Sequence, residues 1–230
     1  MKVRIKFSKN GPIKFIGHLD VMRYFQKAIR RAEIDIAYSK GFSPHQIMSF
    51  AQPLGVGVES DGEYVDVELN SAVSSLDVKN RLNAVMNEGI KVEAVKELSE
   101  GTMNAMASVA ASRYVISIKE GYEFGNDFFG QCEKLGDNEH IYIVKKTKKS
   151  EIEMDLKPAI YEMAVTDNGL MMLVDSSSSG NIKPNLILEE VCKLNNLEYN
   201  PLGFAIKRID MYTRNSEGDL ISMNEVGEDF

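Results

Sequence analysis

Cysteine is scarce, and its two occurrences, Cys132 and Cys192, lie far apart with no Cys-x-x-Cys spacing. That argues against a disulfide framework and against a zinc or iron–sulfur site, and leaves two buried, reduced thiols as the expectation. Histidine is limited to three positions, and no His/Cys/Asp/Glu cluster has metal-ligand spacing. No Walker-type glycine loop and no dinucleotide fingerprint occur. No apolar run is long enough to span a bilayer. The opening MKVRIKFSKN alternates like a strand and lacks the apolar core of a signal peptide, so the cytoplasm is the expected compartment. No cofactor and no metal are expected in this chain.

What is present is ordinary for a globular protein, 43% hydrophobic and 27% charged over 230 residues, enough for one large domain or two small ones. The net charge of −7 is unevenly spread. Residues 1–58 carry ten Lys/Arg against three Asp/Glu, a local +7, which leaves −14 on the remainder. A basic head on an acidic body can attract a polyanion that the whole protein would repel.

Residues 2–7 alternate, with Val3, Ile5 and Phe7 on one side, as in a half-buried strand. From His18 the period becomes helical. Val21, Phe25, Ala28, Ile29 and Ala32 form an apolar stripe. Arg23, Lys27, Arg30 and Arg31 repeat that spacing two residues later, which places them on the side roughly opposite the core. Asp20 sits one turn before Arg23 and can pair with it. A short strand over 34–39 leads to the loop Lys40-Gly41-Phe42-Ser43-Pro44-His45, and another strand covers 47–50. Ser60-Asp61-Gly62, between Val56-Gly57-Val58 and the alternating run 63–69, reads as a hairpin turn. A helix over 75–88 is capped by Ser75, turns Leu76, Leu82, Val85 and Met86 inward, and stops at Gly89. A strand follows over 90–98, and the Ala/Met-rich stretch 103–111 reads as a short joining helix.

The pattern then returns. Strand runs at 114–118, 141–144, 151–156, 160–166, 170–174 and 205–212 flank helices at 124–135 and from Pro184 through Leu194. Asp167-Asn168-Gly169 is a hairpin turn. The expected fold is α+β, two tandem ferredoxin-like (βαββαβ) halves with antiparallel sheets and an inserted hairpin or loop. The halves are residues 1–100, with the basic helix and the Gly-Phe-Ser-Pro-His loop, and 112–213. Residues 214–230 form an acidic tail of little periodicity that can stay disordered.

Two readings compete at each candidate site. The cationic stripe is either a solvated helix face or a polyanion contact, with Tyr24 and Gln26 nearby as base or phosphate contacts. His18 falls on the apolar side of the helix, which favours a histidine tucked against the sheet over an acid/base. The loop offers a cation at Lys40, a bare backbone at Gly41, an aromatic ring at Phe42, a hydroxyl at Ser43, a stiff turn at Pro44 and an imidazole at His45. Lys145, Lys146, Lys148 and Lys149 alternate between strand faces and read as edge protection against sheet-to-sheet pairing.

The run KFIGHLDVMRYFQKAIRRAEIDIAYSKGFSPHQIMSFAQPLGVGVES, followed by EYVDVEL, resembles the family of radical SAM-linked proteins, a domain of unknown function. The matching positions are Gly17, His18, Asp20, Arg23, Arg30, Arg31, Gly41, Phe42, Pro44 and His45. Asn181-Ile182-Lys183-Pro184, Leu186-Ile187-Leu188 and Ile206-Lys207-Arg208-Ile209 resemble its weaker C-terminal pattern. The resemblance implies a companion radical SAM protein. This chain has no Cys-x-x-x-Cys-x-x-Cys to hold that cluster itself. A looser similarity, at the level of tandem ferredoxin-like halves, is to RAMP-type RNA-binding proteins and CRISPR RNA endonucleases, whose late glycine-rich loop has no clear counterpart here.

The expected function is an accessory binding protein of a radical SAM enzyme. It would bind RNA, tRNA-like in character, through Arg23, Lys27, Arg30, Arg31, Lys40, Gly41, Phe42, Ser43 and His45. One alternative is a metal-independent RNA-processing or modifying enzyme using His18 or His45 as acid/base. Another is a scaffold that docks the radical SAM partner without nucleic acid.

Overall fold

A computed structural model of the chain describes residues 1–146 and 151–230. In chain order its elements are β1 (Lys2–Lys9), α1 (His18–Arg31), β2 (Met48–Phe50), β3 (Glu59–Glu68), α2 (Ser75–Val85), β4 (Ile90–Leu98), α3 (Ala105–Ser108), β5 (Ala111–Ile118) and α4 (Phe128–Gly136). They continue with β6 (Tyr142–Lys146), β7 (Glu151–Asp155), β8 (Ile160–Thr166), β9 (Gly169–Asp175), α5 (Pro184–Leu194), β10 (Phe204–Arg214) and β11 (Leu220–Ser222). The chain is a mixed α+β protein whose resolved strand pairings are antiparallel. It divides into two units, Met1–Ala110 with Arg208–Phe230, and Ala111–Lys207.

In the first unit β1 lies between β4 and β3, and β2 and β10 both pair with β3. Ile5 stands opposite Val65 on one neighbour and Val95 on the other. Val3, Ile5 and Phe7 therefore face one way, and α1 covers them with Val21, Phe25, Ala28 and Ile29, all buried. The Phe7 and Phe25 rings meet at 4.5 Å between centroids. Each large side chain removed from water there contributes about 1.5–3 kcal/mol. In α2 the cap is Ser74, which accepts the Asp77 N–H. Val78 and Leu82 point inward there, while Leu76 is exposed, because the helix starts a residue away from the expected phase.

The polar side of this sheet is covered too, contrary to the half-buried reading of β1. Ala51, Tyr64, Ala105, Val109, Met211 and Met223 form a second small core there. Arg4 is consequently buried and gives Asp66 two hydrogen bonds, at 2.8 and 3.0 Å. The stretch expected to be a disordered tail supplies part of that cover. Residues 220–225 form β11 and a capped 3-10 turn, and Phe230 exchanges hydrogen bonds with Ser75. Its acidic composition hid the fact that Met223 is fully buried.

Two further expectations are corrected. Residues 34–39 make only isolated bridges, Ile36 to Leu69 and Tyr38 to Gln46, rather than a strand. Ser60-Asp61-Gly62 is not a turn: β3 runs straight through it, with a bulge where β1 shifts register between Phe7 and Lys9. Gly62 is there for close approach, since a Cβ would stand 2.7 Å from the Asp210 Cα.

In the second unit the strand order is β10-β5-β9-β8, with β10 entering through its first four residues. β8 and β9 are joined through Asp167-Asn168, with Gly169 at φ +116°, as the turn signal required. α4 and α5 close a core holding Ile116, Leu170, Met172, Phe128, Ile187 and Phe204. Cys132 and Cys192 are both free and buried in it, and burial raises the Cys132 thiol to about 12. Among the described residues β6 and β7 pair only with each other. The lysine run falls at their junction; Lys148 and Lys149 lie outside the described residues.

Candidate functional site

The outward face of α1 and the loop after it form one surface. Residues 38–47 fold back on themselves: Tyr38 bridges to Gln46, the Ser39 N–H donates to the His45 carbonyl, and the Ile47 N–H to that of Ala37. Ser39 Oγ and His45 Nδ1 close the neck at 2.8 Å. Gln46, buried, donates from Nε2 to the Gln26 carbonyl and so ties this loop to α1. Gly41, at φ +116°, turns the tip. Phe42 at that tip is fully exposed, and Lys40, Ser43 and His45 are exposed around it.

The four stripe cations do not share one role. Lys27 and Arg30 are exposed and have no partner among the described residues, and the same is true of Lys40. Arg23 makes a 3.4 Å pair with Asp20, both mostly in solvent, an arrangement worth little. Arg31 is committed elsewhere: it donates to the Val85 carbonyl at 3.0 Å and lies over the Tyr24 ring. Tyr24 in turn accepts the Asn87 N–H at 2.6 Å, so this pair fastens α1 to the end of α2 and is not the base or phosphate contact its position suggested.

Much of the +7 head is cancelled from a distance. Arg4 pairs with Asp66, Lys6 with Asp210, and Lys14 with Glu59. The exposed cations of that head left without a carboxylate partner among the described residues are Lys27, Arg30, Arg31 and Lys40, and of these Arg31 is held against α2. The outward positive charge is smaller than the count implied and concentrated on the α1–loop surface.

A second feature lies under the start of α1. A cavity of about 20 Å³ is lined by Phe7, Lys9, His18, Phe50, Gln52 and Glu63 among others. That is room for about one water molecule. Its charged members are packed into the protein. Lys9 donates to the Lys14 and Ile16 carbonyls at 3.3 and 3.0 Å, which pins the approach to α1. Glu63 receives Arg208 Nη1 at 3.0 and 3.2 Å, and the same nitrogen reaches the Gln52 carbonyl. Burial lowers the Lys9 ammonium from its ordinary value against the pull of Glu63, and burial raises the Glu63 carboxyl against the pull of Arg208. Sequence reasoning missed this trio: Lys9 was counted toward the basic head and Arg208 read as part of a strand, and no local pattern marked either as buried.

The structure does not bring His18 and His45 together. His18 is half-buried at the cavity, its ring edge-on to Phe50 at 5.5 Å between centroids. His45 is exposed and bound to Ser39. Among the described residues no group of three or more His, Cys, Asp or Glu is gathered as a metal site. No helix among them is long and apolar enough to cross a membrane.

Comparison with known proteins places this α+β chain in a family. Residues 2–184 match the family described as "Uncharacterized protein conserved in bacteria (DUF2344)", and the chain belongs to it. No curated protein matches the chain. Among solved structures, a chain in the crystal structure of a Cbf5-Nop10-Gar1 complex is 9% identical with a TM-score of 0.48, over 91% of this chain and 48% of that one. A heavy metal efflux pump is 7% identical with a TM-score of 0.24, over 90% of this chain and 28% of the pump. This chain thus spans less than half the length of either solved chain, and neither score is high enough to define a shared fold.

Proposed function

We propose that this protein is an accessory RNA-binding module whose contact surface is the outer face of α1 with the Lys40–His45 loop. The observation that carries the reading is Phe42, fully exposed on a loop held closed by Ser39, His45 and Gln46, beside the unpaired cations Lys27, Arg30 and Lys40. A globular protein gains nothing in stability from a large aromatic ring held in water. An aromatic ring flanked by free cations is what a nucleic acid strand needs, a stacking surface and phosphate contacts together. The protein partner in this reading is a radical SAM protein in the cytoplasm, on the strength of the sequence resemblance. Each unit is read as a ferredoxin-like repeat, supported by strand orders β4-β1-β3-β2 and β10-β5-β9-β8, with α1 and α2 on the first and α4 and α5 on the second.

The test is RNA binding across a salt series. Lys27→Glu with Arg30→Glu should weaken binding at least about tenfold and flatten the slope of log K against log salt by about two. Phe42→Ala should weaken binding without changing the slope, because stacking releases no counterions. Arg31→Gln should lower stability and leave the slope alone, since its guanidinium is spent on α2. Unchanged affinity in the first variant overturns the proposal. Loss of a co-purifying protein in Phe42→Ala, with RNA binding absent throughout, would assign the surface to the scaffold role instead. The acid/base alternative has less behind it: His18 and His45 are apart, and the cavity at His18 holds little more than a water.

A further inference from the structure

The third histidine belongs to an arrangement in the second unit that the α1 surface does not involve. From His140 into β6 the side chains alternate: Ile141 and Ile143 go into the core, while His140, Tyr142 and Val144 face solvent. The His140 and Tyr142 rings lie nearly parallel, 21° apart, with centroids at 5.3 Å. More than half of each is exposed, at 54% and 58%.

This pair is held in place. Asp155, at the end of β7, takes His140 Nδ1–H on one oxygen at 2.8 Å. Its other oxygen takes the backbone N–H groups of Ile141 and Lys157 at 2.8 and 3.0 Å. With three donors the carboxylate stays ionised, its pKa pulled down to about 2, mainly by the bond from His140. A carboxylate can only accept, so Nδ1 carries the proton and Nε2 is left without a partner among the described residues. The Tyr142 hydroxyl has none there either.

We infer that the His140–Tyr142 ring pair at the entry to β6 is a stacking platform for an unpaired base of single-stranded RNA. The inference rests on the RNA-binding reading for its class of partner. It adds a second contact and a preference for unpaired over duplex RNA. Two parallel rings offer a π-face of fixed orientation, and any base has a face to match it. Nε2 and the tyrosine hydroxyl have no partner among the described residues and can meet the base edge. Duplex RNA buries its base faces in its own stack and cannot use such a platform.

The experiment uses the full chain and fluorescein-labelled oligouridylate of about 12 nucleotides, with a blunt RNA duplex of the same length for comparison. The single strand should bind more tightly than the duplex. Tyr142→Leu keeps an apolar cover but loses the ring face, and should weaken single-strand binding about tenfold with the salt slope unchanged. Tyr142→Phe should keep the wild-type affinity within about threefold, and equal melting temperatures would show that the fold is retained. Single-strand affinity for Tyr142→Leu within about twofold of wild type overturns the platform while leaving the α1 surface standing. If binding survives Lys27→Glu with Arg30→Glu but falls in Tyr142→Leu, the α1 reading fails and the platform holds. If the wild-type protein binds neither RNA, both are overturned.

Discussion

Replacing Arg208 with methionine should cost about 3–5 kcal/mol of stability at neutral pH, because it strands a buried carboxylate. Glu63 is 6% exposed and Arg208 2%. Arg208 meets both Glu63 oxygens, and the adjoining cavity has room for about one water, too little to solvate a carboxylate that has lost its partner. Lys9 would remain as the nearby cation, but its ammonium is already spent on the Lys14 and Ile16 carbonyls. The loss should depend on pH in a defined direction. Burial raises the Glu63 carboxyl above its ordinary value, so the folded state holds that proton more tightly than the unfolded chain. A group of this kind contributes stability below its unfolded pKa and loses the contribution as pH rises through its folded pKa. Removing Arg208 raises the folded value further and widens that window. Urea unfolding should therefore show the deficit smallest at about pH 4, where an ordinary carboxyl is half protonated, and growing as the pH rises through the raised folded value. Glu63→Met with Arg208→Met should recover most of the loss, since two apolar side chains leave no charge unpaired. A single variant as stable as wild type at pH 7 would mean that the pair is open to water.

The same trio shows where sequence reading stops. The α1 stripe was legible because its period is local: Val21, Phe25, Ala28 and Ile29 are buried together, as their spacing required. The exposure of Arg23, Lys27 and Arg30 followed from the same wheel. Arg31 was not separable from them, because what removes it from the set is Val85, an element away. The +7 count misled for a related reason. Counting along the chain assigns Arg4, Lys6 and Lys14 to a basic head, while pairing in space gives them to Asp66, Asp210 and Glu59. Charge segregation in a sequence becomes a surface field only for residues that the fold leaves unpaired. Phe42 was legible as the loop's aromatic ring, but its full exposure could be seen only in the fold. Neither the 16–63–208 neighbourhood of Lys9 nor the Asp155 brace behind His140 has any local period, so neither could be seen before the chain was folded.

Gly62 is the position where the sequence signal was real and its cause misread, and it predicts the second large effect. Gly62→Ala should cost about 3 kcal/mol, at the upper end of what overpacking usually does. The new Cβ would lie 2.6 Å from Asp210 Oδ1 and 2.7 Å from both the Asp210 Cα and the Ile209 carbonyl oxygen. Two of those three atoms are backbone, so no rotamer change relieves the clash, and β10 must move away from β3. Asp210 cannot shift alone either. Its carboxylate accepts from the Tyr64 and Ser222 hydroxyls and pairs with Lys6 at 3.2 Å, joining β1, β3, β10 and β11. Arg208 lies two residues before it on the same strand, so displacing β10 would also loosen the grip on Glu63. Gly55→Ala is the matched control: its Cβ would meet only Val58 Cγ2, at 3.6 Å, an ordinary contact. Chemical denaturation of the two variants separates the explanations. If Gly62 served a turn, the penalty would be backbone strain confined to its own dihedrals, and Arg208→Met would add to it independently. If it serves the approach of two strands, the two substitutions act on one element, and the double variant should lose less than the two losses added together.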